Sequence, residues 1–236
     1  MRKRTSFLHI IIVFITALVI VLPMWAEEPI DEETEHDNIV EIVILKDGDF
    51  EYIISDNSTI TIVKYLGKTE SPVIPNEIEG KQVNVIGSQS FFANTDLKSI
   101  TIPAGITKIE SGTFAYCTNL KEIILPSSIK EIQPYSFREC KKLESITIPE
   151  GVTYIGGYTF ADCENLKTVT LPPTIESIGE FAFQYCTNLT DIKLSEGIKE
   201  IGFAAFTGCS SLKEIAIPAS VIGIGHNSHL IIAMTC

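Results

Sequence analysis

Five cysteines recur at a constant interval of 23 residues, Cys117, Cys140, Cys163, Cys186 and Cys209, and a sixth, Cys236, falls outside the series. A row of thiols has two obvious chemistries, disulfide pairing and zinc binding. His226 and His229 stand near Cys236 and would extend a metal set. Two histidines three residues apart, with no further fixed ligand, do not define a tetrahedral site. The chain has no phosphate-cradling glycine loop, no nucleophile elbow and no His-Glu-x-x-His. His36, His226 and His229 lie outside the repeating part of the chain. A catalytic base inside that part would have to be a carboxylate or a lysine, and each of these fits an exposed slot. The expectation is a protein that is not an enzyme and uses no cofactor or metal.

The interval belongs to more than the cysteines. LKSITIPAGITKIESGTFAYCTN, from Leu97 to Asn119, returns as LKEIILPSSIKEIQPYSFRECKK and again in each following unit, the last of them incomplete. The units begin at Leu97, Leu120, Leu143, Leu166, Leu189 and Leu212 with no insertion between any two. A fixed period of this size means stacked coils, each of which buries its apolar side against its neighbours. Within a unit, Leu97, Ile100 and Ile102 are apolar and Lys98, Ser99 and Thr101 are polar, the pattern of a short strand with one buried face. Pro103, Pro126, Pro149, Pro172 and Pro218 end these strands because proline has no N–H for a ladder, and Ser195 replaces it once. Ile106 and Ile109 bring the chain back along a second side, and Thr113, Phe114 and Cys117 are expected to close the coil in one helical turn.

Stacking decides the chemistry of the thiols. Phe114, Phe137, Phe160, Phe183 and Phe206 should form one buried column, with the cysteines in a parallel one. Equivalent residues on stacked strands lie ~4.8 Å apart and point the same way. A disulfide needs converging Cβ atoms near ~3.8 Å, and zinc needs a tetrahedron rather than a line. The cysteines are therefore read as free, buried, small apolar fillers.

The remainder of the chain divides by composition. Residues 1–26 have a basic start (Arg2, Lys3, Arg4), an apolar run from Phe7 to Leu22, Pro23 and Ala26, which reads as a secretory signal or, uncleaved, as an anchor. Residues 27–38 hold Glu27, Glu28, Asp31, Glu32, Glu33, Glu35 and Asp37, an acidic spacer unable to bury anything. Residues 39–72 carry strand patterns around the Asp47-Gly48 turn and form an N-terminal β cap over the first coil. Residues 73–96 are a degenerate first repeat, 97–225 the regular repeats, and 226–236 an atypical apolar tail. No Asp, Glu, Lys or Arg follows Glu214, so this end is a candidate for a capping strand or for self-association through its edge. With the first 26 residues removed, 15 basic residues face 30 acidic ones, and Arg138 is the one arginine left. Such a chain repels polyphosphates, which excludes nucleic acid and anionic membranes as partners.

The recurrent LxxIxIPxxIxxIxxxxFxxC, with the lead-in GDFEYIISDNSTITIVKYLGKTESPVIPNEIEGKQVNVIG, resembles the BspA-like, or treponemal-type, leucine-rich repeat over residues 48–225. The resemblance implies an α/β solenoid: a right-handed leucine-rich-repeat coil with a parallel concave β-sheet, short helical turns and a small N-terminal β-meander cap. It also implies an exported protein, periplasmic, cell-surface or secreted. Its partner would be a protein, such as the host matrix proteins fibronectin and fibrinogen, bound in adhesion. A structural scaffold of the envelope or periplasm without a host ligand is the alternative. The sequence carries no C-terminal sorting signal or long stalk, so the resemblance leaves the means of surface retention open.

Two surfaces are candidates for the partner. The first is the exposed strand face, with Lys98, Thr101, Lys121, Ile124, Thr147, Lys167, Thr170 and Lys193. The second is aromatic: Tyr135, Tyr158 and Phe181 share one slot of consecutive repeats, and Tyr116 and Tyr185 share another. Aromatic rows favour protein contacts, although the same rings can simply pack on one another between coils.

Overall fold

The computed structural model describes residues 42–55 and 58–225, and the backbone of a further strand at Ile232–Met234. The signal segment, the acidic spacer, the Asp56-Asn57 turn, His226, His229 and Cys236 lie outside the described residues. The first strands are β1 (Leu45–Asp47), β2 (Phe50–Ile54), β3 (Ile60–Tyr65), β4 (Glu77–Ile78) and β5 (Lys81–Ile86). Each regular unit then supplies a pair. These are β6 (Ser99–Thr101) and β7 (Lys108–Ile109), β8 (Glu122–Ile124) and β9 (Glu131–Ile132), then β10 (Ser145–Thr147) and β11 (Tyr154–Ile155). They continue as β12 (Thr168–Thr170) and β13 (Ser177–Ile178), β14 (Asp191–Ile192) and β15 (Glu200–Ile201), and β16 (Ile215–Ile217) and β17 (Gly223–Ile224), with β18 at Ile232–Met234.

The coils stack in the register that the period dictates. Ser99 pairs in parallel with Glu122, Ile100 with Ile123 and Thr101 with Ile124. Leu97 and Leu120 are thereby neighbours on adjacent rungs, and both are fully buried. The first strand of each unit builds one side of the solenoid in three pieces, β6–β8, β10–β12–β14 and β16–β18. The second strands build another side, β1–β2–β3–β5–β7–β9 with β4 beside β5, followed by β11–β13–β15–β17. The antiparallel hairpins of β1, β2 and β3 do not merely lie over the first coil: β3 pairs in parallel with β5, so the meander is continuous with the second side.

The third side corrects the expected helical turn, and with it the α/β class: no helix occurs among the described residues, and the coil is built from strands and turns. A helix would direct each N–H four residues back along its own chain. Here alternate N–H groups leave the coil. Gly112, Phe114 and Tyr116 donate to the carbonyls of Pro134, Ser136 and Arg138 in the next coil, at 3.1, 2.8 and 2.8 Å. Between them, Ala115 and Cys117 donate three residues back, to Gly112 and Phe114. This alternation needs a left-handed residue at two slots of each coil. The slot of Gly112 (φ 63°) holds Tyr135 (63°), Tyr158 (57°) and Phe181 (56°) in the next three coils. The slot of Tyr116 (63°) holds Glu139 (60°), Asp162 (62°) and Tyr185 (55°). A left-handed residue other than glycine costs about 1–2 kcal/mol, which the inter-coil hydrogen bonds and ring contacts must offset. Corners tighten further along the chain: a Cβ on Gly202 would stand 2.5 Å from the backbone of Gly179 and Glu180.

The buried phenylalanines form the expected column and extend it. Phe91, Phe114, Phe137, Phe160, Phe183 and Phe206 follow one another with ring centroids 5.3–5.4 Å apart. Tyr65 and Phe50 of the cap continue the stack at 5.1 and 5.2 Å. Slots beside the rings hold Thr113, Ser136 and Thr159, whose buried hydroxyls donate to carbonyls of their own or the preceding coil. Phe160→Ala removes a ring with stacked neighbours on both sides. It should cost ~3–5 kcal/mol, read as a lower denaturant midpoint; an unchanged midpoint would refute the column as core.

Candidate interaction surfaces

The thiols occupy a defined place. Cys117, Cys140, Cys163, Cys186 and Cys209 are free and buried. Each Sγ–H points to the carbonyl of the phenylalanine in the preceding coil: Phe91, Phe114, Phe137, Phe160 and Phe183, at 3.0–3.2 Å. The same carbonyl, in the regular coils, also accepts the N–H of its own coil's cysteine three residues on. The thiol therefore uses the second lone pair of a buried carbonyl, a role an alanine could not fill. Burial pushes the Cys117 and Cys209 thiols up to about 12, and raises those of Cys140, Cys163 and Cys186 above the ordinary range. Such thiols are poor nucleophiles and poor metal ligands, because both roles need the thiolate. Among the described residues no group of three or more His, Cys, Asp or Glu is placed to hold a metal ion.

The face of the first sheet presents the side chains singled out from the sequence. Lys98, Thr101, Lys121, Ile124, Thr147, Lys167, Thr170 and Lys193 are all exposed. Pairing sets Thr101 beside Ile124 and Thr147 beside Thr170, and Val73 bridges to Thr101 from the other side. The result is a row of uncharged, mostly β-branched residues in which Val73 is 64% and Ile124 73% exposed. The charged row next to it neutralises itself in part. Glu144 lies between Lys121 at 3.4 Å and Lys167 at 3.3 Å, and Lys98 meets Glu70 at 2.7 Å. Hydrogen bonds from Lys167 and then Lys121 hold the Glu144 carboxyl below its ordinary range. The sheet does not present all eight residues as one plane, because pairing is interrupted between β8 and β10 and again between β14 and β16.

The aromatic candidates sit on the third side, on the left-handed backbone. Tyr135 stacks on Tyr158 at 5.0 Å and Tyr158 on Phe181 at 4.8 Å, with Phe203 closing edge-on at 5.2 Å. Tyr135 is exposed, while Tyr158 and Phe181 are half-buried. The rings thus pack between coils and keep one edge in solvent. Tyr116 and Tyr185 do not touch each other; Tyr116 packs on Phe92 at 5.3 Å. The sequence reading missed Arg138, which lies between two rings, 5.7 Å from Tyr116 and 5.9 Å from Tyr158. Its Nε is 3.8 Å from Asp162, whose carboxyl is raised by burial and by the neighbouring Glu139 more than Arg138 lowers it. The signal that could have revealed the strained slots was Gly112 in the slot of Tyr135, and Gly208 in that of Tyr185.

Comparison with known proteins follows the same lines. The model of the BspA type leucine rich repeat region matches in six copies, over residues 61–186 and 130–229. A leucine rich repeat protein of T. pallidum is 31% identical, with a TM-score of 0.72 over 75% of this chain and 83% of that one. A leucine rich cell surface protein of Faecalibacterium prausnitzii is 30% identical, with a TM-score of 0.62 over 73% of this chain and 54% of its own. The pneumococcal vaccine antigen PcpA shares the fold at 23% identity, with a TM-score of 0.58 over 75% of this chain and 50% of that one. The search of curated proteins gave no match.

The thiol ladder predicts an alkaline limit to stability. The folded thiols titrate well above those of the unfolded chain, so their contribution to stability should be constant below about pH 9 and fall as pH rises toward 12. In a Cys236→Ser variant, a thiol reagent at pH 8 should label no cysteine in the native state and five in denaturant. Rapid native labelling would refute the buried ladder.

Proposed function

Because the chain belongs to the family of BspA-type leucine-rich-repeat proteins, we propose that it is exported and binds a host matrix or cell-surface protein in adhesion, through the face of its first sheet. The observation that carries this reading is the row from Val73 through Thr101 and Ile124 to Thr147 and Thr170. These are exposed, uncharged side chains held on a rigid backbone beside partly neutralised lysines. Ordering such a surface on binding costs little side-chain entropy, because β-branched residues have few rotamers to lose. The action is non-covalent and non-catalytic. The basic and apolar start of the chain supports export, and one similar structure is that of a cell surface protein. The aromatic ridge around Tyr135 and Tyr158 serves as a secondary contact.

Fibronectin and fibrinogen, immobilised separately, are the probes. Lys98→Glu, Ile124→Glu and Thr147→Glu together should weaken capture at least about tenfold, with the urea midpoint nearly unchanged. Tyr135→Ser with Tyr158→Ser should weaken it less. Absence of capture by the wild-type chain from a panel of matrix proteins would overturn the adhesive reading.

The proposal includes self-association at the C-terminal edge. β18 pairs in parallel with β16 in a return of 17 residues rather than 23, and no charged residue follows Glu214 to discourage edge pairing. Sedimentation should show a concentration-dependent dimer; a monomer at all concentrations would remove this part.

A further inference from the structure

We propose that the notch at β14 is a peptide site that takes an extended segment bearing lysine or arginine side chains. The inference rests on the sheet-face reading above and goes on to name the place and the chemistry. Four observations meet there. The strand-ending proline of the other regular coils is replaced by Ser195, and a groove of about 530 Å³ opens beside it, bordered by Thr168, Thr170, Asp191, Lys193, Ser195 and Glu196. That volume is in the range of a small-ligand pocket. The Ser195 Oγ is enclosed with no hydrogen-bond partner, a cost that is removed when its side chain turns to a polar group in the groove. Pairing of β14 with β12 ends at Ile192, one residue short of the pairing between β10 and β12, and among the described residues β14 makes no pair with β16.

The charges select the occupant. Earlier on this face, Lys98, Lys121, Glu144 and Lys167 are engaged with Glu70 or with one another. Among the described residues, Asp191, Lys193 and Glu196 enter no ion pair. Two unpaired carboxylates against one ammonium leave the notch with a net charge of −1 on its rim. The main chain past the end of this pairing borders the groove, where an extended segment laid across the face would gain affinity from backbone bonds and selection from alternate side chains. Basic side chains on alternate residues of such a segment would meet Asp191 and Glu196.

The probe is the blocked pentapeptide Thr-Lys-Thr-Lys-Thr, titrated into the isotope-labelled full chain, with Thr-Glu-Thr-Glu-Thr as its control. The basic peptide should bind saturably, shift the amides of residues 168–171 and 191–196, and weaken as salt rises. Asp191→Asn with Glu196→Gln should weaken it about tenfold or more, and Ser195→Pro should do the same by filling the notch. Equal binding of the acidic peptide, shifts confined to other coils, or an affinity unchanged in Asp191→Asn with Glu196→Gln would overturn the proposal. Matrix capture that is lost in the Lys98, Ile124, Thr147 variant but intact in the Asp191, Glu196 variant would overturn the notch and leave the sheet-face reading standing.

Discussion

In the described regular coils, the buried rings, thiols and aliphatic side chains each meet an equivalent residue one coil away. That is a severe constraint. A residue tolerated in one coil must also tolerate a copy of itself at about the spacing of paired strands. Aromatic rings satisfy it by offset stacking, which is why one phenylalanine slot is filled from Phe91 through Phe206 and continued into the cap by Tyr65 and Phe50. Thiols satisfy it by donating to the coil before them rather than reacting with each other. A charged side chain in a buried slot would face the same charge above and below, and the described core contains none.

On the surface the same constraint is relaxed, and the rows diversify. In the lysine row glutamate is set in once, as Glu144 between Lys121 and Lys167, while Lys98 meets Glu70. Lys141 similarly spans Glu139 and Glu164. Exposed pairs of this kind contribute little stability. Their consequence is that the sheet face carries little net charge on a strongly acidic chain, so an incoming protein is neither repelled nor held by charge alone.

Much of this was legible because the governing contacts are periodic. The 23-residue interval gave the pairing of Ser99 with Glu122 directly, and the slots of Phe114 and Cys117 followed from it. The helical turn expected at Thr113–Cys117 was wrong for an instructive reason. Local pattern describes where side chains point, whereas the conformation here is decided by N–H groups that reach the next coil. Tyr135, Tyr158 and Phe181 gave no warning by themselves, since bulky residues rarely adopt a left-handed backbone. The junction of the cap with the second side was hidden likewise, because β3 and β5 pair across a connection with no repeat of its own.

The interruptions of the sheets point to where side chains take over from backbone. Between the coils that begin at Leu120 and Leu143, both flanking sheets stop: β8 does not pair with β10, nor β9 with β11. The coils stay joined there by the third side, where Tyr135, Phe137 and Glu139 donate to the carbonyls of Gly157, Thr159 and Ala161. Across the same junction run the flattest exposed stack, Tyr135 on Tyr158 with ring planes 7° apart, the Arg138 contact to Asp162 and the Lys141 bond to Glu164. Ring stacking of this kind is worth about 0.5–1.5 kcal/mol, comparable with the cost of the left-handed backbone that presents the rings. The left-handed slots recur in coils whose sheets do pair, but here the pair of rings they present, Tyr135 and Tyr158, adds contact across the one junction, among the described coils, at which neither sheet pairs.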